Sequence, residues 1–297
     1  MLTEPPRNAA LPKMTIDSHQ HFWRYDAERD GWITDAMGLL KRDFLPEELE
    51  RELDANGIDG TIAVQADQSE EETRFLLDLA EHRKRIAGVV GWVDLRSPGI
   101  AERLLFFSQF RKLRGFRHIA QAEADDRFLV REEFLRGIGQ LREFDFAYDI
   151  LIYPKQLPAA IELVTRFPEQ RFVVDHLAKP EIKAGVREPW AGHIRTIAQN
   201  RNVFCKVSGL VTEADWREWK VEDIWPYLDV VFEAFGPERL MFGSDWPVCL
   251  LAASYAKVKR LIETYVEAHA KRHKEDIFGG NAARFYVLKM VSHGFTA

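Results

Sequence analysis

Ile86-Ala87-Gly88-Val89-Val90-Gly91-Trp92-Val93 is the longest apolar run in the chain, and it does not alternate with polar residues. A strand with one face in water alternates, whereas a strand covered on both faces is apolar throughout, as in a parallel sheet. Eight residues are too few to span a bilayer, so the run is read as a core strand. Just before it, Leu76, Leu77 and Ala80 stand three and four apart, the period of a helix with one buried stripe.

The same strand-and-helix unit recurs on both sides of that run. Strands are predicted at Thr15–His19, Gly60–Ala66, Ile86–Val93, Leu113–His118, Ala147–Ile152, Arg171–Asp175, Val203–Ser208 and Leu240–Gly243. Helical stripes fall between them: Leu135, Ile138 and Leu141; Ile161, Val164 and Phe167; and, after the eighth strand, Val258, Leu261, Ile262 and Tyr265. A last helix is expected from about Glu275 to Val291, covering the sheet. Eight such alternations with no low-complexity linker predict the α/β class and a single closed (β/α)₈ TIM barrel over residues 14–297. Its active site is expected at the C-terminal ends of the strands. Residues 1–13 are polar and Pro-rich, which suits a flexible arm rather than a signal peptide.

Composition narrows the function. The 297 residues carry a formal charge of -6 and are 46% apolar, a soluble globular profile without the basic patch that nucleic acid requires. Neither nucleic acid nor membrane is an expected partner. The two cysteines, Cys205 and Cys249, form no CxxC and read as buried, reduced thiols of a cytoplasmic protein. No GxSxG elbow or phosphate-binding loop is present, which removes serine esterases and P-loop enzymes. Nothing in the sequence sets the oligomeric state.

Asp17-Ser18-His19-Gln20-His21 ends the first strand. Residues two apart on a strand share a face, so His19 and His21 can hold one divalent metal between them. His176 ends the sixth strand in Val173-Val174-Asp175-His176-Leu177-Ala178-Lys179-Pro180, and Asp245 ends the eighth in Met241-Phe242-Gly243-Ser244-Asp245-Trp246-Pro247. His118 ends the fourth. All are therefore expected at one rim, while His82, His193, His269, His273 and His293 fall on helices or the tail. Asp17 and Asp175 read as carboxylates that orient the neighbouring histidines. The connections 22–44 and 209–222 are long and carry Trp23, Tyr25, Trp32, Trp216 and Trp219, as substrate-building loops or as packing anchors.

This set of motifs resembles the amidohydrolase superfamily, in its amidohydrolase-2 branch. Ile16-Asp17-Ser18-His19-Gln20-His21-Phe22-Trp23 with Gly243-Ser244-Asp245-Trp246-Pro247 is similar to the sugar-lactonase subgroup, whose members act on L-fuconolactone and L-rhamnonolactone. The likeness runs from Thr15 to Tyr286, and 2-pyrone-4,6-dicarboxylate lactonases are relatives. It implies that His19, His21, His176 and Asp245 are the catalytic and metal-holding groups around one divalent metal, zinc for an N/O site, or around an activated water. The branch leaves the need for the metal open. With no lysine within strands four or five, and Lys155 just after strand five, the metal would be mononuclear.

The resemblance also implies the reaction: hydrolysis of a sugar-acid (aldono) lactone, L-fuconolactone or a related aldonolactone. Asp245 would take a proton from water, and His118, His176 or Lys179 would steady the oxyanion. Arg117, Trp32, Tyr153, Lys179 and Trp246, together with His118, are the candidate substrate contacts; a rim salt bridge is the alternative for Arg117 and Lys179. Two rival readings remain from the sequence: a metal-dependent decarboxylase of an aromatic or unsaturated acid, and a non-catalytic sugar-binding barrel.

Overall fold

The computed structural model describes residues 14–288, together with the short antiparallel strands Met290–Val291 and Gly294–Phe295. The expected arm over residues 1–13 lies outside the described residues. Eight strands alternate with helices in chain order: β1 (Ile16–Gln20), α1 (Pro46–Asn56), β2 (Gly60–Val64), α2 (Glu70–His82), β3 (Ile86–Gly91), α3 (Ile100–Phe107), β4 (Leu113–His118), α4 (Glu132–Leu141), β5 (Ala147–Ile150), α5 (Leu157–Arg166), β6 (Phe172–Val174), α6 (Trp190–Ile197) and β7 (Val203–Val207). The short α7 (Leu210–Glu213) and the long α8 (Val221–Phe235) precede β8 (Leu240–Phe242), and α9 (Tyr255–His269) and α10 (Asn281–Phe285) follow it. Each strand pairs in parallel with the next. The ring closes through backbone bonds from β1 to the segment after β8: Asp245 N to His19 O (2.8 Å) and His21 N to Trp246 O (2.7 Å). This is a single (β/α)₈ barrel.

Local chemistry explains the alternation. Ser69 caps α2, its Oγ accepting from Glu72 N at 3.2 Å, and Glu70, Glu71 and Glu72 sit at the positive end of the helix dipole. The stripes read from sequence are buried: Leu76, Leu77 and Ala80 on α2, Leu135, Ile138 and Leu141 on α4, and Val258, Leu261, Ile262 and Tyr265 on α9. Of the α5 stripe, Val164 is buried, Ile161 is half-buried, and Phe167 lies just past the helix end. Strand ends differ from the reading by one or two residues. Sequences such as Gln65-Ala66 and Leu151-Ile152 remain apolar or buried past the strand ends. Among the described residues no helix is long and apolar enough to cross a membrane.

The core has two parts. One large cluster fills the space between strands and helices. A smaller one, with Ile16, Ile62, Ala147, Val173 and Met241, fills the barrel interior toward the N-terminal ends of the strands. Ala282, Phe285, Tyr286 and Leu288 belong to that second cluster. The expected final helix is therefore not continuous: a π turn spans Asp276–Gly280, α10 ends at Phe285, and the chain turns its side chains up into the barrel floor. Gly279 makes the bend, because a Cβ there would lie 1.8 Å from the Met14 carbonyl oxygen.

Candidate active site

The rim of the barrel gathers His19, His21, His176 and Asp245 in one buried cluster, none more than 5% exposed. Asp245 Oδ1 lies 3.4 Å from His21 Nε2 and 3.9 Å from both His19 Nε2 and His176 Nε2. The His19 and His21 Nε2 atoms are 3.2 Å apart. His21 turns Nδ1 to the Val64 carbonyl at 2.7 Å, so that nitrogen carries the proton and Nε2 keeps a free lone pair. His176 Nδ1 contacts Ser208 Oγ at 2.9 Å. Ligand atoms around a tetrahedral cation with bonds of about 2.0–2.2 Å stand roughly 3.3–3.6 Å apart. His21 Nε2 has such separations to His19 and Asp245, and these three residues lie close enough together to hold one divalent ion. A backbone or side-chain partner on the far nitrogen of His21 and His176 is the usual orientation for ligating imidazoles.

Backbone strain aims two of the four. His176, Leu177, Ala178 and Lys179 have φ of 53°, 55°, 58° and 49°, and Asp245 has φ of 59°. Left-handed conformations cost about 1–2 kcal/mol per non-glycine residue, so such a turn persists only where its surroundings enforce it. Trp190 Nε1 donates to Leu177 O at 2.7 Å, Lys179 N bonds His176 O at 2.7 Å, and Leu177 and Ala178 are wholly buried. Asp17 secures the Asp245 side: its carboxylate accepts from Ser244 N (2.9 Å), Ser244 Oγ (2.6 Å) and Tyr255 Oη (3.0 Å). Burial pushes Asp17 up to about 6 against those bonds.

Gly209 completes the seat of His176. It has φ of 66°, and a Cβ there would come within 2.5 Å of His176 Nδ1. Gly209→Ala is therefore expected to swing the imidazole off the cluster and to lower turnover by about 10²-fold, the usual effect of an ångström-scale displacement. Steady-state kinetics with a melting curve checks this; full turnover would show that the position of His176 is immaterial.

The electrostatics keep the imidazoles neutral and the carboxylate ionised. Burial pulls His176 down to about 4, and it lowers His21 as well. Burial and the ammonium of Lys206 hold His19 well below the usual imidazole range. Burial alone would raise Asp245, but the surrounding His176, His21 and His19 outweigh it and hold the carboxyl well below the usual carboxylate range.

Beneath the cluster lies a sealed layer of charge. Lys206, on β7, reaches Asp149 Oδ2 at 2.5 Å, Asp175 Oδ1 at 3.1 Å and His19 Nδ1 at 3.1 Å. Arg117, on β4, donates to Asp175 Oδ2 at 2.9 Å and to Gln65 Oε1 at 3.2 Å, and its other amino nitrogen bonds the Gln65 carbonyl. Tyr286, rising from the barrel floor, donates to Asp149 Oδ2 at 2.8 Å. Two cations thus meet two carboxylates with no access to solvent, and buried charges are tolerated only in such pairings.

The structure brings the four principal residues together but distributes the other candidates differently. His118 points away from the cluster: it stacks on Phe128 with centroids 4.5 Å apart, accepts from Trp92 Nε1 at 3.2 Å and meets Glu123 at 2.7 Å. It shares a strand with Arg117, and adjacent strand residues face opposite sides, so only one of them can enter the barrel. Arg117 is only 3% exposed; its Nη1 donates to Asp175 Oδ2 and stands 3.3 Å from His19 Nε2, the nitrogen turned to the cluster. Trp246 is buried against Phe22 and Phe44, as a wall. Tyr153 and Trp32 are exposed, Lys179 lies with its Nζ 5.6 Å from the Tyr153 ring, and Trp32 sets its ring edge-on to Trp23. Lys155 pairs with Asp126 at the surface. Cys205 and Cys249 are buried, and burial drives both thiols upward, away from nucleophilic chemistry.

Sequence reasoning missed Gln65, Asp149, Lys206 and Tyr286. The signal was a charge inside an otherwise apolar strand, Ala147-Tyr148-Asp149-Ile150 and Val203-Phe204-Cys205-Lys206-Val207, since such residues are almost never buried unpaired.

A parallel eight-stranded barrel with a β1 HxH, a histidine after β6 and an aspartate after β8 defines an amidohydrolase-type enzyme. The chain belongs to the amidohydrolase family, whose model matches residues 16–288. It is 46% identical over 288 residues to an L-fucono-1,5-lactonase of Burkholderia multivorans, covering 93% of this chain and 96% of that protein. It is 37% identical over 279 residues to an L-fucono-1,5-lactonase of Burkholderia ambifaria, covering 91% and 94%. A crystal structure of a Burkholderia multivorans amidohydrolase with bound zinc superposes with a TM-score of 0.89 at 45% identity, over 93% of this chain and all of that one.

Proposed function

We propose that this enzyme hydrolyses an aldonolactone, L-fucono-1,5-lactone or a close relative, with Asp245 as the proton carrier. The observation that carries the reading is the Asp245 carboxylate, held 3.4–3.9 Å from the Nε2 atoms of three imidazoles at the barrel rim. Two relatives that match almost the whole chain are L-fucono-1,5-lactonases, which favours this substrate class over the decarboxylase and the silent binding barrel.

In this reading Asp245 accepts a hydrogen bond from a water above His19 and His21 and takes its proton as oxygen adds to the lactone carbonyl. His19, His21, His176 and Asp245 would hold a zinc ion, whose Lewis acidity makes water ionisable near pH 7 and polarises a carbonyl. Asp245 then gives its proton to the ring oxygen as the C–O bond breaks, leaving the free aldonate.

A pH-indicator assay over 1,4- and 1,5-aldonolactones, before and after chelation, tests the reading. Acid release on L-fucono-1,5-lactone is expected, with activity lost on chelation and restored by zinc. Zinc at about 100 times its dissociation constant should also stabilise the fold by about 2.7 kcal/mol, visible as a rise in melting temperature. Silence across the panel with zinc supplied would overturn the lactonase reading.

A further inference from the structure

The Lys179 ammonium and the Glu213 carboxylate stand 3.6 Å apart at the mouth of the site. Both are about one-fifth exposed on their side chains, and neither makes a closer polar side-chain contact among the described residues. That separation exceeds the 2.7–2.9 Å of a charge-assisted hydrogen bond, so the two charges face each other without saturating each other. An ammonium has three donors and a carboxylate about four lone-pair sites, which leaves most of that capacity turned to whatever enters the mouth.

The pair is also anchored to the catalytic cluster on both sides. Lys179 ends the left-handed turn that begins with His176, and Glu213 ends the helical turn that begins after Gly209, whose backbone abuts the His176 ring. Lys183 N bonds Glu213 O at 3.0 Å, tying the two turns together. The Tyr153 ring lies 5.6 Å from Lys179 Nζ, closing the third side. Burial raises Glu213 and the charge of Asp245 adds to that, against the pull of the Lys179 ammonium.

We infer that Lys179 and Glu213 form a clamp that reads neighbouring ring hydroxyls of the substrate, Lys179 donating to one hydroxyl oxygen and Glu213 accepting from the other. Hydroxyls both donate and accept, so an adjacent pair satisfies a cation and an anion together, which no apolar lactone can do. The clamp makes the polyhydroxylated ring, rather than the ester alone, the feature selected. The inference rests on the lactonase reading.

The test compares L-fucono-1,5-lactone with unsubstituted δ-valerolactone, using wild type, Glu213→Gln and Lys179→Met, with melting curves to certify folding. A hydrogen bond to a charged group corresponds to a discrimination of about 10- to 100-fold. Each substitution should lower the ratio of the two kcat/KM values by that factor, chiefly through KM for the hydroxylated lactone. A ratio within twofold of wild type in both folded variants would overturn the clamp while leaving the lactonase reading intact. A wild-type enzyme silent on both lactones would overturn the lactonase reading and the clamp with it.

Discussion

Asp245→Asn is expected to lower kcat on an aldonolactone by 10²- to 10⁴-fold with the fold intact. General acid–base catalysis is worth about that factor, and an amide cannot take the proton. Asparagine is the informative replacement for a second reason. Asp245 has φ of 59°, and Asn is, with Asp, among the non-glycine residues that adopt the left-handed region most readily. Its side chain has the same shape, so the contacts to the imidazoles keep their spacing. Alanine would confound the result by adding backbone strain and a void. The variant should melt within a few degrees of wild type, and lactone assays at several pH values should show no recovery. Near-full turnover would remove Asp245 from the proton-carrying role and shift attention to His176.

Lys206→Met is expected to have the largest effect on stability. Lys206 is wholly buried and holds Asp149 at 2.5 Å and Asp175 at 3.1 Å. Methionine fills nearly the same volume but leaves two buried carboxylates facing each other, with Arg117 and His19 beside Asp175 and only the neutral Tyr286 hydroxyl on Asp149. Removing one partner of a buried ion network costs about 3–5 kcal/mol, a fall in melting temperature on the order of 10 °C for a chain of this size. A paired Lys206→Met, Asp149→Asn protein should recover part of that loss, because it removes a stranded charge along with its partner. Differential scanning calorimetry on the three proteins separates the outcomes. A single variant melting within 2 °C of wild type would mean that the network contributes little to the fold.

These two residues show how unevenly the site is written along the chain. Asp245, His19, His21 and His176 are legible because each sits in a short motif at or just past the end of a strand, and the (β/α)₈ order sends every strand end to the same rim. Lys206 is a single charge within an apolar strand, and its meaning depends on Asp149 and Asp175, 57 and 31 positions away in the sequence. Glu213 is similar: nothing in Leu210-Val211-Thr212-Glu213 distinguishes it from a solvated helix residue until the loop folds back beside Lys179. His118 shows the opposite: it stands at a strand end, but alternation gives the inward position to Arg117.

The sequence by itself determined the elements and their order, because helix and strand periodicity are properties of neighbouring residues and need no distant partner. It also determined that His19, His21, His176 and Asp245 stand at strand ends of one rim. Only the tertiary structure decided which side chains share the interior, since a polar residue on a buried strand can be assigned a partner only once the barrel has closed. The broken final helix belongs with these: its bend at Gly279 answers to the carbonyl of Met14, at the far end of the chain. The left-handed turn at His176 is likewise imposed by Trp190 and a packed core, against the local preference of His-Leu-Ala-Lys.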